Sequence, residues 1–196
     1  MGAASALALL FHPAQAEWQP APSTALISQS VIDSVREAAT RQIVIMSIQS
    51  QNHSFGDLSQ GEIDRLDGTW RKQTVSENQP LIAAKMSNPL SAYLTRIQAL
   101  SLGLYAEIFV MDANGLNVGQ SNVTSDFWQG DEAKFQKTFS VAPDAVFIDE
   151  AELNEDTNTY RAQLNIAIAD PNTGEAIGAA TFEINLTELQ RRSSQS

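Results

Sequence analysis

The spacing of apolar residues changes once, near Tyr105, and this change constrains the fold more than any other feature of the chain. Before it, apolar residues recur at helical spacing, and after it they alternate, as they do in strands. The alternation is clearest in 160–169, where one face of the predicted strand carries four apolar residues, Ala162, Leu164, Ile166 and Ile168. Helices followed by an antiparallel sheet predict an α+β fold.

We predict four helices before residue 105. The first is long and runs from Ser23, a plausible N-cap, to about Gln51. The second helix begins at a capping box of Ser59 and Glu62, and the third covers Glu77 to Met86. The fourth begins at Asn88-Pro89, as N-cap and first helical position.

The sequence of the second half of the chain predicts a sheet with one apolar face and one polar face. The expected strands are 105–111, 116–121, 145–149, 160–169 and 176–186, with tight turns at 112–115 and 170–174. If helices cover one face, the other is free to be solvated or lined by loops. Four polar residues are expected to gather on that second face: Glu107, Gln163, Asn165 and Glu183.

Composition excludes several classes of function. The 196 residues contain 12 Lys and Arg against 23 Asp and Glu, a formal net charge of −11, which argues against binding a polyanion. The absence of Cys rules out disulfides, a thiol nucleophile and Cys-ligated metals. Two His leave little room for His-based catalysis, so we expect a binding module without cofactor or metal, and not an enzyme.

The N-terminal residues predict export. Residues 3–11 are apolar, and Ala14-Gln15-Ala16 follows in the pattern of a cleavage site, so 1–16 are predicted to be a signal peptide and 17–24 a linker. A buried N-terminal helix is the alternative. No later stretch has the ~18 apolar residues of a membrane span. We therefore expect a periplasmic protein.

The long segment 122–139 mixes aromatic and charged residues. Connections of this length are often functional lids, which makes Phe127 and Trp128 candidate pocket residues. Alternatively, Trp128 and Phe135 only anchor the segment to the sheet. Both interpretations stay open at this point.

Three stretches of the second half resemble the extracytoplasmic PDC sensor fold of the Cache superfamily: EIFVMDANGLNVGQS, TSDFWQGDEAKF and YRAQLNIAIADPNTGEAIGAATFEINL. The resemblance covers about residues 25–190 and leaves 191–196 as a flexible tail. It implies a single Cache domain, with a PAS-like antiparallel sheet packed on the long helix. It also implies that a small molecule, such as an amino acid, carboxylate, amine or nucleobase, binds between the sheet and its loops.

The resemblance also suggests the sign of the ligand's charge. Many Cache amino-acid sensors carry an R-x-W-Y signature in the loop and an acidic residue in the last strand. Trp128 and Glu183 match the aromatic and acidic positions, but Asp126 lies where a basic residue would be needed, so we expect an amine or another cation. The expected ligand-binding residues are Glu107, Phe109, Asp126, Phe127, Trp128, Asp131, Phe147, Asp149, Gln163 and Glu183.

The acidic run 149–156 has two interpretations. Clustered carboxylates can bind a divalent cation. A solvated loop between strands is the interpretation we favour, with Asp149 and Glu152 at the edge of the pocket.

These features together predict a periplasmic sensor that reports ligand occupancy to a signalling partner, such as a membrane receptor or a kinase. The chain would otherwise be the outer fragment of such a receptor. Two copies are expected to dimerise through the long N-terminal helix. A ligand-free structural or dimerisation module of the same fold is the alternative function.

Overall fold

The computed structural model describes residues 21–195. The predicted signal peptide, 1–16, lies outside the described residues. The helices, after a short 3-10 turn at Thr24–Leu26, are α1 (Gln29–Ala39), α2 (Gln42–Phe55), α3 (Gln60–Gln73), α4 (Pro80–Met86), α5 (Pro89–Leu100), α6 (Ala133–Gln136) and α7 (Leu186–Ser193). The strands are β1 (Tyr105–Met111), β2 (Asn117–Gln120), β3 (Val146–Ile148), β4 (Glu152–Asn154), β5 (Thr159–Ala169) and β6 (Ala176–Asn185).

The six strands form one antiparallel sheet in the order β2-β1-β6-β5-β3, and β4 also pairs with β5. The two longest strands, β5 and β6, lie at its centre and pair along nearly their whole length. This arrangement confirms the predicted α+β fold and the predicted run of strands after residue 105.

The main core lies between the helices and one face of the sheet, which we call the inner face. Ala162, Leu164, Ile166 and Ile168 point into this core from β5, as their alternation predicts, and Phe182 and Ile184 do so from β6. Residues from α1, α2, α5 and α7 complete it. No helix within residues 21–195 combines the length and the apolar character needed to cross a membrane.

The single long N-terminal helix predicted from Ser23 to Gln51 is wrong, because the chain breaks between α1 and α2. Thr40 ends α1, where its hydroxyl donates to the Arg36 carbonyl at 2.8 Å, and Arg41 is extended. The buried residues of the two helices are Val35 and Ala39, then Val44 and Ile48. The step from 39 to 44 is too long for one helical stripe, so a continuous helix would turn α2's apolar face away from the sheet.

Two of the other three helix starts follow the sequence closely, while α4 begins at Pro80, three residues after the predicted start at Glu77. The Ser59–Glu62 capping box is present at the start of α3, and the Asn88 side chain accepts a hydrogen bond from the Ser91 N–H at the start of α5. Helix α7 was not predicted. It begins at Leu186, where we expected the last strand to end, and it extends to Ser193, through part of the stretch expected to be a tail.

Candidate functional site

The face of the sheet turned away from the main core, the outer face, carries two rows of side chains. Glu107, Glu183 and Gln163 are Cα partners across β1, β6 and β5, so they lie side by side. The next row is formed by Phe109, Thr181, Asn165 and Phe147. Partners in an antiparallel ladder share a face at about 5 Å. The polar residues expected on the second face are therefore together.

The outer face is divided into an apolar half and a polar half. Phe135 of α6 and Phe139 stack at 4.8 Å, and both pack in a small cluster with Phe109, Met111 and Ala179. This packing fills the apolar half with the protein's own side chains. The polar half, around Glu107, Glu183 and Gln163, is open and forms a pocket.

The pocket has two adjoining parts that share Glu132, Lys134 and Gln163. One part has a volume of 360 Å³ and lies between β5, β6 and the acidic run 149–154. The other has a volume of 350 Å³ and lies beneath residues 123–126, with Glu107 and Phe109 in its lining. Each volume lies within the range of small-molecule pockets.

Carboxylates dominate the charge of this pocket. Both basic side chains are already paired: Arg161 Nη1 lies 2.8 Å from Glu183 Oε2, and Lys134 Nζ lies 2.9 Å from Glu132 Oε2. Seven carboxylates line the two parts: Glu107, Asp126, Glu132, Asp149, Glu150, Glu152 and Glu183. The pocket therefore has a strongly negative field, which favours a cation over an anion.

Glu107 is the most perturbed of these carboxylates. Burial, followed by the neighbouring Glu183 carboxylate, raises its pKa to about 7, and Lys134 and Arg161 partly offset these two effects. Glu107 forms no ion pair with any residue of the described chain. Near neutral pH this side chain therefore exchanges a proton readily, and a bound cation would favour its charged form.

The Gln163 amide is available to a ligand. Its side chain lines both parts of the pocket and makes no hydrogen bond to another residue in 21–195. Asn165 differs, since its Oδ1 accepts from the Thr181 hydroxyl at 2.7 Å and its Nδ2 donates to the Phe147 carbonyl at 3.2 Å. Asn165 and Thr181 support the floor, and Gln163 faces the pocket.

The structure brings most of the expected site residues together but not all. Six line the pocket: Glu107, Phe109, Asp126, Asp149, Gln163 and Glu183. Phe147 lies on the outer face outside the lining, and its ring lies 4.2 Å from Lys137 Nζ. Asp131 is exposed and also lies outside the lining.

Phe127 and Trp128 lie in a different cluster, on the far side of the 122–139 segment. The Phe127 ring is fully buried and stacks on Trp70 at 5.2 Å, and Trp128 Nε1–H donates to the Asn114 carbonyl at 2.9 Å. Asp67 of α3 accepts the backbone N–H of both residues. These contacts hold Phe127 and Trp128 against α3 and the turn between β1 and β2, and neither ring lines the pocket.

Four charged residues of the pocket lining were missing from the predictions: Arg161, Glu132, Lys134 and Glu150. Arg161 lies two residues before Gln163 on β5, so strand alternation already placed it on the outer face. Glu132 and Lys134 lie at the start of α6 in an irregular segment, where no periodicity indicates a side chain's direction.

The acidic run contains a short strand as well as exposed turn residues. Glu152–Asn154 form β4 against β5, while Glu155 and Asp156 are exposed in the turn that follows. Within the described range, no group of three or more acidic or His side chains is arranged to hold a metal ion.

No family model and no curated protein matches this chain in sequence. Solved structures are similar to it over most of its length. The sensory domain of the Campylobacter jejuni chemoreceptor Tlp3, with isoleucine bound, has 15% identity and a TM-score of 0.40, covering 83% of this chain and 57% of that one. The ligand-binding domain of the Pseudomonas aeruginosa amino acid chemoreceptor PctC, in complex with GABA, has 12% identity and a TM-score of 0.38, with coverages of 82% and 66%.

A third match is the extracellular domain of rpHK1S-Z16, a protein assigned as a histidine kinase, with 12% identity, a TM-score of 0.44 and coverages of 85% and 64%. This chain thus spans less than two thirds of the length of each of the three. The three solved structures are a sensory domain, a ligand-binding domain and an extracellular domain, respectively.

Proposed function

We propose that this chain is a ligand-sensing domain that works in the periplasm, binds a small amine or another organic cation in the outer-face pocket, and reports occupancy to a signalling partner. The observation that supports this proposal best is the row of Glu107, Glu183 and Gln163 across three adjacent strands. This row lies at the floor of a pocket with seven carboxylates and two paired bases. Transfer of the signal to a kinase or receptor follows from the resemblance and stays a prediction.

Hydrogen-bond chemistry favours an amine as the ligand. An ammonium group carries only donors, and hydrogen bonds to charged groups are worth roughly 1.5–3 kcal/mol each. A carboxylate ligand would need a free guanidinium, but Arg161 already donates to Glu183 at 2.8 Å and to the Thr157 hydroxyl at 3.1 Å. The Trp128 ring does not take part, so charge pairing and the Gln163 amide carry the proposed recognition.

The alternative, a structural module without a ligand, is favoured by one observation only. Phe135 and Phe139 cover the apolar half of the outer face with the protein's own side chains. The polar half has no such cover. A failure of every small molecule to stabilise the protein would favour this alternative.

Replacing Glu183 by Gln is expected to weaken amine binding by about tenfold or more, because it removes one acceptor and releases the Arg161 charge into the pocket. The measurement is calorimetric titration with the best compound from a thermal-shift screen of monoamines, diamines, amino acids and carboxylates. Glu175→Gln is the matched control, since it makes the same charge change at an exposed position outside the pocket. A response to carboxylates alone would contradict the proposed ligand class.

Amine affinity is expected to rise with pH through about 7. A bound cation favours the ionised form of Glu107, whose pKa in the free protein is raised to about 7 by burial, so binding below that pH releases a proton. Titrations from pH 6 to pH 8 test this result, with an amine that stays protonated throughout. In Glu107→Gln the pH dependence should be lost, and an unchanged slope in that variant would exclude Glu107 as its source.

The proposed location and dimer rest on the sequence. Residues 1–16 are the basis for export, and a fusion of residues 1–24 to a reporter that is active only outside the cytoplasm tests it. Pairing of two copies through the predicted long N-terminal helix, which the structure divides into α1 and α2, stays a prediction, and the mass of the protein in solution tests it.

A further inference from the structure

A second groove lies on the helix side of the sheet, away from the outer-face pocket. It has a volume of 470 Å³ and lies between one face of α2 and the junction of α4 and α5. Met46 of α2, with 56% of its surface exposed, lies at the rim. The groove is lined both by apolar residues, among them Ile43, Phe55 and Pro89, and by polar residues, among them Ser47, Ser50 and Asn88.

Lys85 is the only ionisable residue among those that line this groove. Its Nζ lies 5.6 Å from the centre of the Phe55 ring and 5.3 Å from that of Phe127, and it donates to Gln51 Oε1. An ammonium group has three donors, and Gln51 is its one oxygen acceptor in the described chain. Two of the three N–H donors of Lys85 therefore have no oxygen acceptor within residues 21–195.

A buried partner keeps this lysine in place without covering it. Gln51 Nε2 donates to Asp112 Oδ2 at 2.8 Å, so the Gln51 amide lies between the ammonium group and the Asp112 carboxylate. Asp112 Oδ1 already accepts the backbone N–H of Asn114 and Leu116. The Asp112 charge therefore stabilises Lys85 from behind, while the lysine side chain lines the groove.

The groove is the electrostatic opposite of the outer-face pocket. A protein with a net charge of −11 has one cation and no carboxylate in the lining of this groove. Seven carboxylates line the other site. The two surfaces therefore differ in the sign of the charged side chains that line them.

We propose that this groove is a second binding site, which takes a small organic anion with a short hydrocarbon chain, its carboxylate on Lys85 and its chain along α2 toward Met46. The charge-assisted hydrogen bond positions the head group, and burial of the hydrocarbon chain supplies the non-directional part of the affinity. This site is independent of the proposed amine pocket.

The test is calorimetric titration of the whole chain with octanoate, compared with 1-octanol as a neutral probe of similar chain length. We expect octanoate to bind at least about tenfold more tightly, since only it can accept from Lys85. Met46→Glu places a carboxylate at the rim and should weaken the binding of octanoate by about tenfold or more. Leu100→Glu makes the same change at a residue of α5 that is 70% exposed and outside the groove, and it should have no effect.

Variants of Lys85 add a direct test. Lys85→Arg should keep octanoate binding and Lys85→Met should lose it; because the latter leaves Asp112 without its nearby cation, its folding must be checked first. Equal affinity for octanoate and octanol, or octanoate binding that Met46→Glu leaves unchanged, would overturn the proposal. Glu183→Gln should not alter octanoate binding, so a failure of the amine proposal would leave this one standing.

Discussion

Replacing Trp70 by alanine is expected to lower the free energy of unfolding by about 3–5 kcal/mol, the largest loss that we predict for any single substitution. The Trp70 side chain is fully buried and stacks on Phe127. Its Nε1–H donates to the Thr124 carbonyl at 2.9 Å, so the substitution also leaves a buried acceptor without its partner. Both contacts tie α3 to the segment that roofs the pocket.

Chemical denaturation of the variant and the parent protein measures this loss. Val75→Ala is the control, because Val75 lies just after α3 and is 89% exposed, so its loss should stay within about 0.5 kcal/mol. A drop of less than about 1 kcal/mol for Trp70→Ala would mean that the segment is not anchored by this residue.

Replacing Glu107 by Gln is expected to stabilise the protein at pH 8 by about 3 kcal/mol. Burial raises the pKa of Glu107 from 4.5 to about 7 in the folded protein, so the folded state holds a proton that the unfolded state has already released. The stability that this group contributes is full below pH 4.5, falls as the pH rises through 7, and stays low above it. A Gln at this position is neutral at every pH, so the variant does not lose this stability as the pH rises.

The measurement is the difference in unfolding free energy between Glu107→Gln and the parent protein at pH 4 and at pH 8. The difference should be small at pH 4 and large at pH 8, which separates the titration from any effect of the substitution on packing. Glu175 is exposed, so the difference in unfolding free energy between Glu175→Gln and the parent protein should not grow with pH. A constant difference at both values would mean that the Glu107 carboxyl does not titrate in this window.

The faces of the strands could be predicted because side-chain direction in a strand follows the backbone repeat. That is why Glu107, Gln163 and Glu183 were expected on one face and are found there. The same rule places Arg161 beside them. Its pairing with Glu183 was not predicted, because it joins residues of different strands.

The directions of the Phe127 and Trp128 side chains could not be predicted in the same way. The 122–139 segment has no repeat of its own over most of its length, so nothing local decides which of its side chains face the sheet. Their direction is set by Asp67 and Trp70, which lie on α3 far earlier in the chain. The break between α1 and α2 was missed for another reason: helical spacing continues on both sides of Thr40.

By itself, the sequence determined that a helical half precedes the strands, which faces of the longest strands are polar and apolar, and the acidity of the protein, because each of these depends on local repeats or on composition. The tertiary structure alone decided which carboxylates share a pocket, which aromatic rings are buried beneath its roof, and that Lys85 lines a separate groove. These outcomes depend on contacts between residues distant in sequence, and packing selects such contacts only when the whole chain has folded.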